Sequence, residues 1–253
     1  MRLIKIMFSY YGSKSKIVQY YPSPTCDKII EPFAGSARYS LRYFDKDILL
    51  VDKYKVIVDI WHYLQRASQK DILGLPKIDI DFDLSKHVYL SEVEKNLIGF
   101  LIADAQSAPS KKLTKKWFSL RPTKIEHRIK GLIDLLPKIK HWKIIQGSYD
   151  NLENENATWF IDPPYQFGGE HYKESNKNID YNSLANWCKS RKGQIIVCEN
   201  TNSNWMEFTP IVRMKGANKF STEAIWTNFK TQYGSIQQDL FGRGNKKECV
   251  NVA

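Results

Sequence analysis

The chain has 253 residues, 42% of them hydrophobic and 13% aromatic, with a formal net charge of +11. That length admits one large α/β domain or a core carrying an insertion, and the apolar fraction suffices for a packed interior. No apolar run approaches the ~18 residues of a membrane span, residues 1–7 lack the apolar region of a signal peptide, and Cys26, Cys188, Cys198 and Cys249 are too dispersed for a disulfide framework or a zinc site.

A reducing cytosol is therefore the expected setting, with neither a membrane partner nor a metal. The five histidines show no metal-ligand spacing either. The positive charge is concentrated. Residues 107–143 hold eleven Lys and Arg against Glu126 and Asp134, a net of +9, interleaved with Trp117, Phe118 and Trp142. A charge run can be a solvated face, and these aromatic side chains can equally be packing residues. Such a density of cations is also the footprint of a polyanion partner, here a nucleic acid. Lys111, Lys112, Lys115, Lys116, Arg121, Lys124 and Arg128 are the candidate phosphate contacts.

In chain order, Tyr10-Tyr11-Gly12-Ser13-Lys14 reads as a turn opening into a helix through Ile17, Val18 and Tyr20. It offers a ring, a flexible backbone and a cation near a helix start, as a ligand loop or as a plain surface loop. The run from Lys28 to Glu31 then predicts a strand, followed by a tight turn through Pro32, Phe33, Ala34, Gly35, Ser36 and Ala37 and a helix through Tyr39, Leu41, Tyr43 and Phe44. Gly35 and its small neighbours let the backbone approach a ligand at the helix N-terminus. Position 37 is alanine, so this is not the G-x-G-x-x-G of a dinucleotide-binding loop. A second strand, Ile48-Leu49-Leu50-Val51, ends at Asp52, 17 residues after Gly35. A carboxylate about 20 residues on is where ribose hydroxyls are held. The same acid could cap the helix predicted over residues 54–67, and the two roles are compatible.

Residues 68–140 break the β-α alternation. Residues 69–85 read as a loop, 91–105 as a helix started by a Ser91/Glu94 capping box, and 125–136 as a second helix. The predicted division is therefore a catalytic α/β domain over 1–67 and 141–253, interrupted by a basic, mostly helical insertion over 68–140. The sheet resumes at residues 143–146, followed by Gly147-Ser148-Tyr149, and again at Ala157-Thr158-Trp159-Phe160-Ile161. Asp162-Pro163-Pro164-Tyr165 ends that strand abruptly, placing a carboxylate and an aromatic ring at a rigid corner on the carboxyl edge of a sheet. Residues 166–180 are polar and long enough for a lid. Asp180 is positioned to cap a helix through Leu184, Trp187 and Cys188, and strands are predicted at 194–198, 208–214 and 222–227.

Tyr10-x-Gly12-x-Lys14, Glu31-Pro-Phe-Ala-Gly-Ser-Ala37, Asp52 and Asp162-Pro-Pro-Tyr165 occur in an order that resembles the Dam-type DNA adenine methyltransferases. The resemblance spans nearly the whole chain and is weakest in the basic insertion and the tail. It implies a Rossmann-like seven-stranded methyltransferase sheet with a helical target-recognition insertion, and S-adenosyl-L-methionine as cofactor. It places Tyr10 and Lys14 at the N-terminal cofactor contact and Phe33, Gly35 and Ala37 in the loop against the methionine part. Asp52 becomes the ribose-binding acid, and Ser148, with Tyr149 beside it, stands where an acid is common next to the cofactor adenine. Asp162, Pro163, Pro164 and Tyr165 match the catalytic signature without change, and DNA becomes the expected partner. Such an enzyme belongs to the cytosol of a bacterium or a phage-infected host, in a restriction-modification, phage or solitary DNA-methylation role.

The chemistry agrees. An adenine amino nitrogen is a poor nucleophile because its lone pair is delocalised into the ring. Acceptors at Asp162 and the Pro163 carbonyl would take its two hydrogens and stabilise the positive charge that develops. In a duplex the base must be flipped out, and Tyr165 offers a stacking face. Methylation of a cytosine amine or of RNA is the neighbouring alternative. A non-catalytic nucleic-acid binder keeping a decayed methyltransferase fold is the alternative from another class. In the tail, Gln237, Gln238, Asp239, Leu240 and Phe241 resemble the Q-x-D-L-F peptide that docks bacterial replication proteins on the sliding clamp; the competing reading is a short helix packing Leu240 and Phe241 on the sheet.

Overall fold

The computed structural model describes residues 8–104, 106–120, 123–215 and 220–231. Its elements run β1 (Lys28–Glu31), α1 (Arg38–Arg42), β2 (Asp47–Asp52), α2 (Lys55–Arg66), α3 (Gln69–Leu73), α4 (Glu92–Leu101), α5 (Lys115–Leu120), α6 (Lys124–Leu135), β3 (Lys143–Gln146), β4 (Ala157–Ile161), α7 (Tyr181–Ser190), β5 (Gly193–Asn200), β6 (Thr209–Lys215) and β7 (Phe220–Thr227). The strands form one seven-stranded sheet in the order β3-β2-β1-β4-β5-β7-β6, parallel except for β7, which runs antiparallel to both β5 and β6. This is a Rossmann-like seven-stranded α/β sheet, as the motif order implies. Strand order reverses between β1 and β4, so the carboxyl ends of those two strands open the crevice where such sheets take ligands.

Both faces of the sheet are covered. Every residue of β4 is buried, and its side chains alternate between faces as a strand requires. Phe160 points to the side holding Tyr39, whose ring stacks on it at 4.3 Å, whereas Trp159 meets Trp187 of α7 edge-on at 5.4 Å. Helix α2 buries Ile57, Val58, Ile60, Trp61 and Leu64 at helical spacing. The Trp61 indole N–H donates to the Gly35 carbonyl at 2.9 Å, which ties the loop after β1 to that helix.

The segment between α2 and β3 is built from α3 to α6. Its helices are shared between two clusters. Leu97, Phe100 and Leu101 of α4 and Leu132 and Leu135 of α6 join the main core, while Ile98 of α4 and Ile125 of α6 pack with Phe82, Leu84, Leu90, Ile102 and Leu113. Gly99 permits this approach, because a β-carbon there would lie 2.5 Å from Pro109.

Some expected elements differ. Residues 69–85 contain α3, started by a capping box between Ser68 and Asp71, a signal hidden by the short length of the helix. Helix α4 has the expected Ser91/Glu94 box but ends at Leu101 rather than at residue 105. The buried Arg128 guanidinium accounts for that end, since it donates to the carbonyls of Leu101 and Ala103 and so satisfies the terminal acceptors. Near Ile17 only a 3₁₀ turn forms, Val18–Tyr20, because Tyr21 is held extended ahead of Pro22. Asp180 caps α7 as expected, accepting from the N–H groups of Asn182 and Ser183. No helix among the described residues is long and apolar enough to cross a membrane.

Candidate active site

At the carboxyl ends of β1, β2 and β4 lies a cleft of about 840 Å³. Its walls come from the Tyr10 to Lys14 loop, the turn from Glu31 to Arg38, Asp52, Tyr149 and Asp162. Sequence positions far apart thus meet around one space. The turn after β1 is held open by two left-handed residues, Gly35 with φ 46° and Ala37 with φ 46° and ψ 45°. Ala37 is the sole non-glycine with positive φ among the described residues. The Asp52 carboxylate accepts from Gly35 N at 2.9 Å and from Tyr54 N at 2.8 Å, fixing the turn and the start of α2 with the same side chain. Burial pushes Asp52 up to about 6, the backbone donors partly opposing it. Glu31, fully inside and accepting from Ser40 N at 2.6 Å, is pushed up by burial to about 8.

The N-terminal loop is pinned on this turn. Ser13 Oγ accepts from Arg38 Nε at 3.1 Å and hydrogen-bonds the Ser36 hydroxyl at 3.1 Å, and Arg38 also reaches the Phe8 carbonyl. At the far wall the Phe33 and Tyr149 rings face each other at 5.5 Å with a 32° tilt. All the expected cofactor positions border the cleft except Ser148. Its hydroxyl is buried without a hydrogen-bond partner among the described residues.

A second, more open cleft of about 1350 Å³ adjoins the first, sharing Tyr10, Gly12, Lys14 and Tyr172 with it. Tyr165, Glu223 and Lys124 belong to this second chamber and Asp162 to the first. The corner after β4 therefore stands between two spaces. Lys14 Nζ lies 2.7 Å from Asp162 Oδ1, with only 7% and 17% of the two side chains exposed, and sits over the Tyr165 ring at 4.7 Å. Asp162 is raised by burial and held back by the Lys14 ammonium. Lys14 is raised, because its carboxylate partners Asp162 and Glu223 outweigh the burial that would lower it. The Pro164 carbonyl accepts from Tyr181 Oη at 2.6 Å, whereas the Pro163 carbonyl accepts no hydrogen bond among the described residues. Glu199 of β5 fastens Gln166, the residue after Tyr165, accepting from its N–H at 2.8 Å and from the Trp205 indole at 3.1 Å.

Within residues 166–180, Tyr172 lines both chambers and Gly168 the second. Tyr172 packs edge-on to Tyr11 at 4.9 Å, and its hydroxyl leaves no room for a β-carbon at Gly12. Tyr172, Glu174 and Asn178 line the first cleft and were not singled out from the sequence. A polar loop gives no signal as to which of its side chains turn inward. Glu223 was missed too, although a carboxylate inside the run Thr222-Glu-Ala-Ile-Trp-Thr227 is a legible anomaly.

The expected phosphate contacts divide. Lys111 is exposed, and no carboxylate lies within ion-pair distance of it among the described residues. Lys112 pairs with Asp83 at 2.8 Å and Lys115 with Asp81 at 3.4 Å, so acids of the preceding segment offset part of the charge. Lys124 pairs with Asp104 at 2.6 Å on the edge of the second chamber. Arg128 is 2% exposed, donates to the carbonyls of Leu101 and Ala103 and to Asp104, and borders the second chamber beside Lys124. Trp142 is likewise a core residue, its indole donating to the Phe44 carbonyl. Arg121, the Lys116 side chain and residues 237–241 lie outside the described residues. No cluster of His, Cys, Asp or Glu among the described residues could hold a metal ion.

No protein-family model matches the chain, and no curated protein matches it. Among solved structures, "Putative methyltransferase yhhF from Escherichia coli" aligns at 9% identity and a TM-score of 0.34, covering 89% of this chain and 96% of that one. Two adjoining chambers, the first lined by Asp162 and the second by Tyr165, define the candidate site.

Proposed function

We propose that the protein is an S-adenosylmethionine-dependent DNA methyltransferase that modifies the exocyclic amine of a flipped adenine. The observation that carries this reading is the position of Asp162, on a rigid corner between a ribose-competent cleft and a chamber walled by an aromatic ring. The first cleft suits the cofactor. It combines a turn open enough for close backbone approach, a partly buried Asp52 with lone pairs left for hydroxyls, and facing Phe33 and Tyr149 rings. S-adenosylmethionine supplies an already activated methyl group there.

The chain's own residues then act on the acceptor. In this reading the Asp162 carboxylate and the Pro163 carbonyl accept the two amine hydrogens, which lets the nitrogen pyramidalise and direct its lone pair towards the first cleft. As the N–C bond forms the methyl–sulfur bond would break, its electron pair leaving on sulfur as a neutral thioether; the nitrogen becomes positive, and these fixed acceptors would stabilise that charge without reorganising. The surplus hydrogen leaves as a proton afterwards. The Lys14 ammonium, 2.7 Å from Asp162 Oδ1, favours the charged carboxylate against the burial that raises it, and Tyr165 offers the base a ring beside that pair. Holding both reactants across one corner supplies the remaining acceleration as alignment. Exposed lysines such as Lys111 supply sequence-independent attraction to phosphates.

The test is transfer of labelled methyl from S-adenosylmethionine to unmethylated plasmid DNA, followed by digestion and mass spectrometry. N6-methyladenine is expected from the wild type, and Asp162→Ala should lose at least ~10²-fold in rate. Label in N4-methylcytosine or in RNA would move the substrate class. Absence of both transfer and calorimetric cofactor binding would leave the non-catalytic reading.

A further inference from the structure

One buried carboxylate of the second chamber has no part in the reaction as described. Glu223 lies in β7 opposite Asn200 of β5, and its Oε1 accepts from the Tyr165 hydroxyl at 2.5 Å and from the Tyr21 hydroxyl at 2.7 Å. Tyr21 is itself fixed, packed edge-on at 5.0 Å to Phe160, which stacks on Tyr39. The ring of Tyr165 is thus held at its far end by a carboxylate anchored in the core, while Lys14 sits over its face. Burying a carboxylate is unfavourable unless donors meet it, and an apolar residue would complete a sheet strand more simply. Two phenol donors converging on a single oxygen form a networked orientation device.

We propose that Glu223 is a positioning residue for the acceptor base, holding the Tyr165 ring in one orientation as a wall of the acceptor chamber; the inference rests on the methyltransferase reading above. A ring fixed in advance loses no rotamer freedom when a base stacks on it, and it sets the depth at which the amine meets Asp162. Glu223 reaches the base only through the Tyr165 ring it holds, and it also adds negative charge facing Lys14. It lines the second chamber and not the cleft assigned to the cofactor.

The experiment measures kcat and KM for plasmid DNA, with S-adenosylmethionine affinity by calorimetry, in the wild type, Glu223→Ala, Glu223→Gln, Tyr165→Phe and the Glu223→Ala/Tyr165→Phe double variant. Glu223→Ala is expected to lower kcat/KM for DNA by about 10- to 100-fold, the scale of an ångström-level misplacement, with cofactor affinity unchanged. Glu223→Gln keeps an oxygen that accepts from both phenols and should recover most of the loss. Tyr165→Phe should reproduce the loss, and adding Glu223→Ala to it should cost little more. Full activity of Glu223→Ala, a parallel loss of cofactor affinity, or additive effects in the double variant would each overturn the proposal. If Glu223→Ala does not fold, Tyr165→Phe and Glu223→Gln decide, with an inactive Glu223→Gln or a fully active Tyr165→Phe refuting it. A wild type that transfers methyl with an additive cycle overturns this inference alone; a wild type that transfers none overturns the functional reading with it.

Discussion

Removing Asp162 should separate stability from catalysis in a way that only a buried ion pair explains. Lys14 Nζ is 2.7 Å from Asp162 Oδ1, and both side chains are largely withdrawn from water. In Asp162→Ala the ammonium keeps only the Gly12 carbonyl at 3.2 Å and the Tyr165 ring at 4.7 Å, with Glu223 as the remaining carboxylate influence. Breaking one side of a buried pair costs about 3–5 kcal/mol, and those residual contacts place this case near 3. Replacing both partners by neutral groups is close to neutral by the same reasoning, so Lys14→Met/Asp162→Ala should regain about 2 kcal/mol of the loss. Urea denaturation with a shared m-value reads the difference as a shift in midpoint of up to about 1 M. Methyl transfer must stay down at least ~10²-fold in both variants, because neither restores the acceptor for the amine. A double variant no more stable than Asp162→Ala, or one that regains activity, would refute the account of the pair.

Three further outcomes follow from single residues. Ala37→Gly relieves about 1–2 kcal/mol of left-handed strain, but gives up a buried methyl at about 0.8 and loosens the unfolded chain by about 0.4–1. Its stability should therefore stay within about 1 kcal/mol of wild type, whereas Ala37→Val, β-branched at a φ of 46°, should lose more than about 2; equal denaturation midpoints for wild type and the Val variant would contradict this. Glu31 ionises near 4.5 when unfolded and at about 8 when folded, so the unfolded state releases its proton first and the stability held below pH 4.5 is lost as pH rises to about 8. Glu31→Gln keeps the acceptor for Ser40 N and should remove that decline, on the order of 4 kcal/mol, in chemical denaturation from pH 4.5 to 9. Finally, Lys111→Ala should flatten the logarithmic salt dependence of DNA affinity by about 0.9, and Lys112→Ala, whose charge is already met by Asp83, by less. An unchanged slope for Lys111→Ala would remove that lysine from the DNA-facing surface.

Local order carried far along this chain. The β-formers leading into Asp162, the small residues around Gly35 and the acid ending the Ile48 run each have a local physical meaning, and their sequence order fits a single sheet type. Those positions meet at one sheet edge. Residues whose role depends on a distant partner were not legible. Arg128 belongs to the same basic run as Lys111, and nothing in the spacing says that its guanidinium closes the end of α4 inside the protein. Tyr172 sits in a polar loop whose neighbours give no sign that it turns onto Gly12. The short helix α3 was read as loop because five residues are too few to display a period.

By itself the sequence determined the alternation of strands and helices and the residue types at the site, because periodicity, glycine and proline act over a few neighbouring bonds. Only the tertiary structure decided that Lys14 neutralises Asp162 across 148 positions of chain, that Glu223 rather than solvent meets the Tyr165 hydroxyl, and that Arg128 serves the fold. Those pairings are set by where the sheet brings strand ends together and by which charges lose their water, and neither is a property of any local segment.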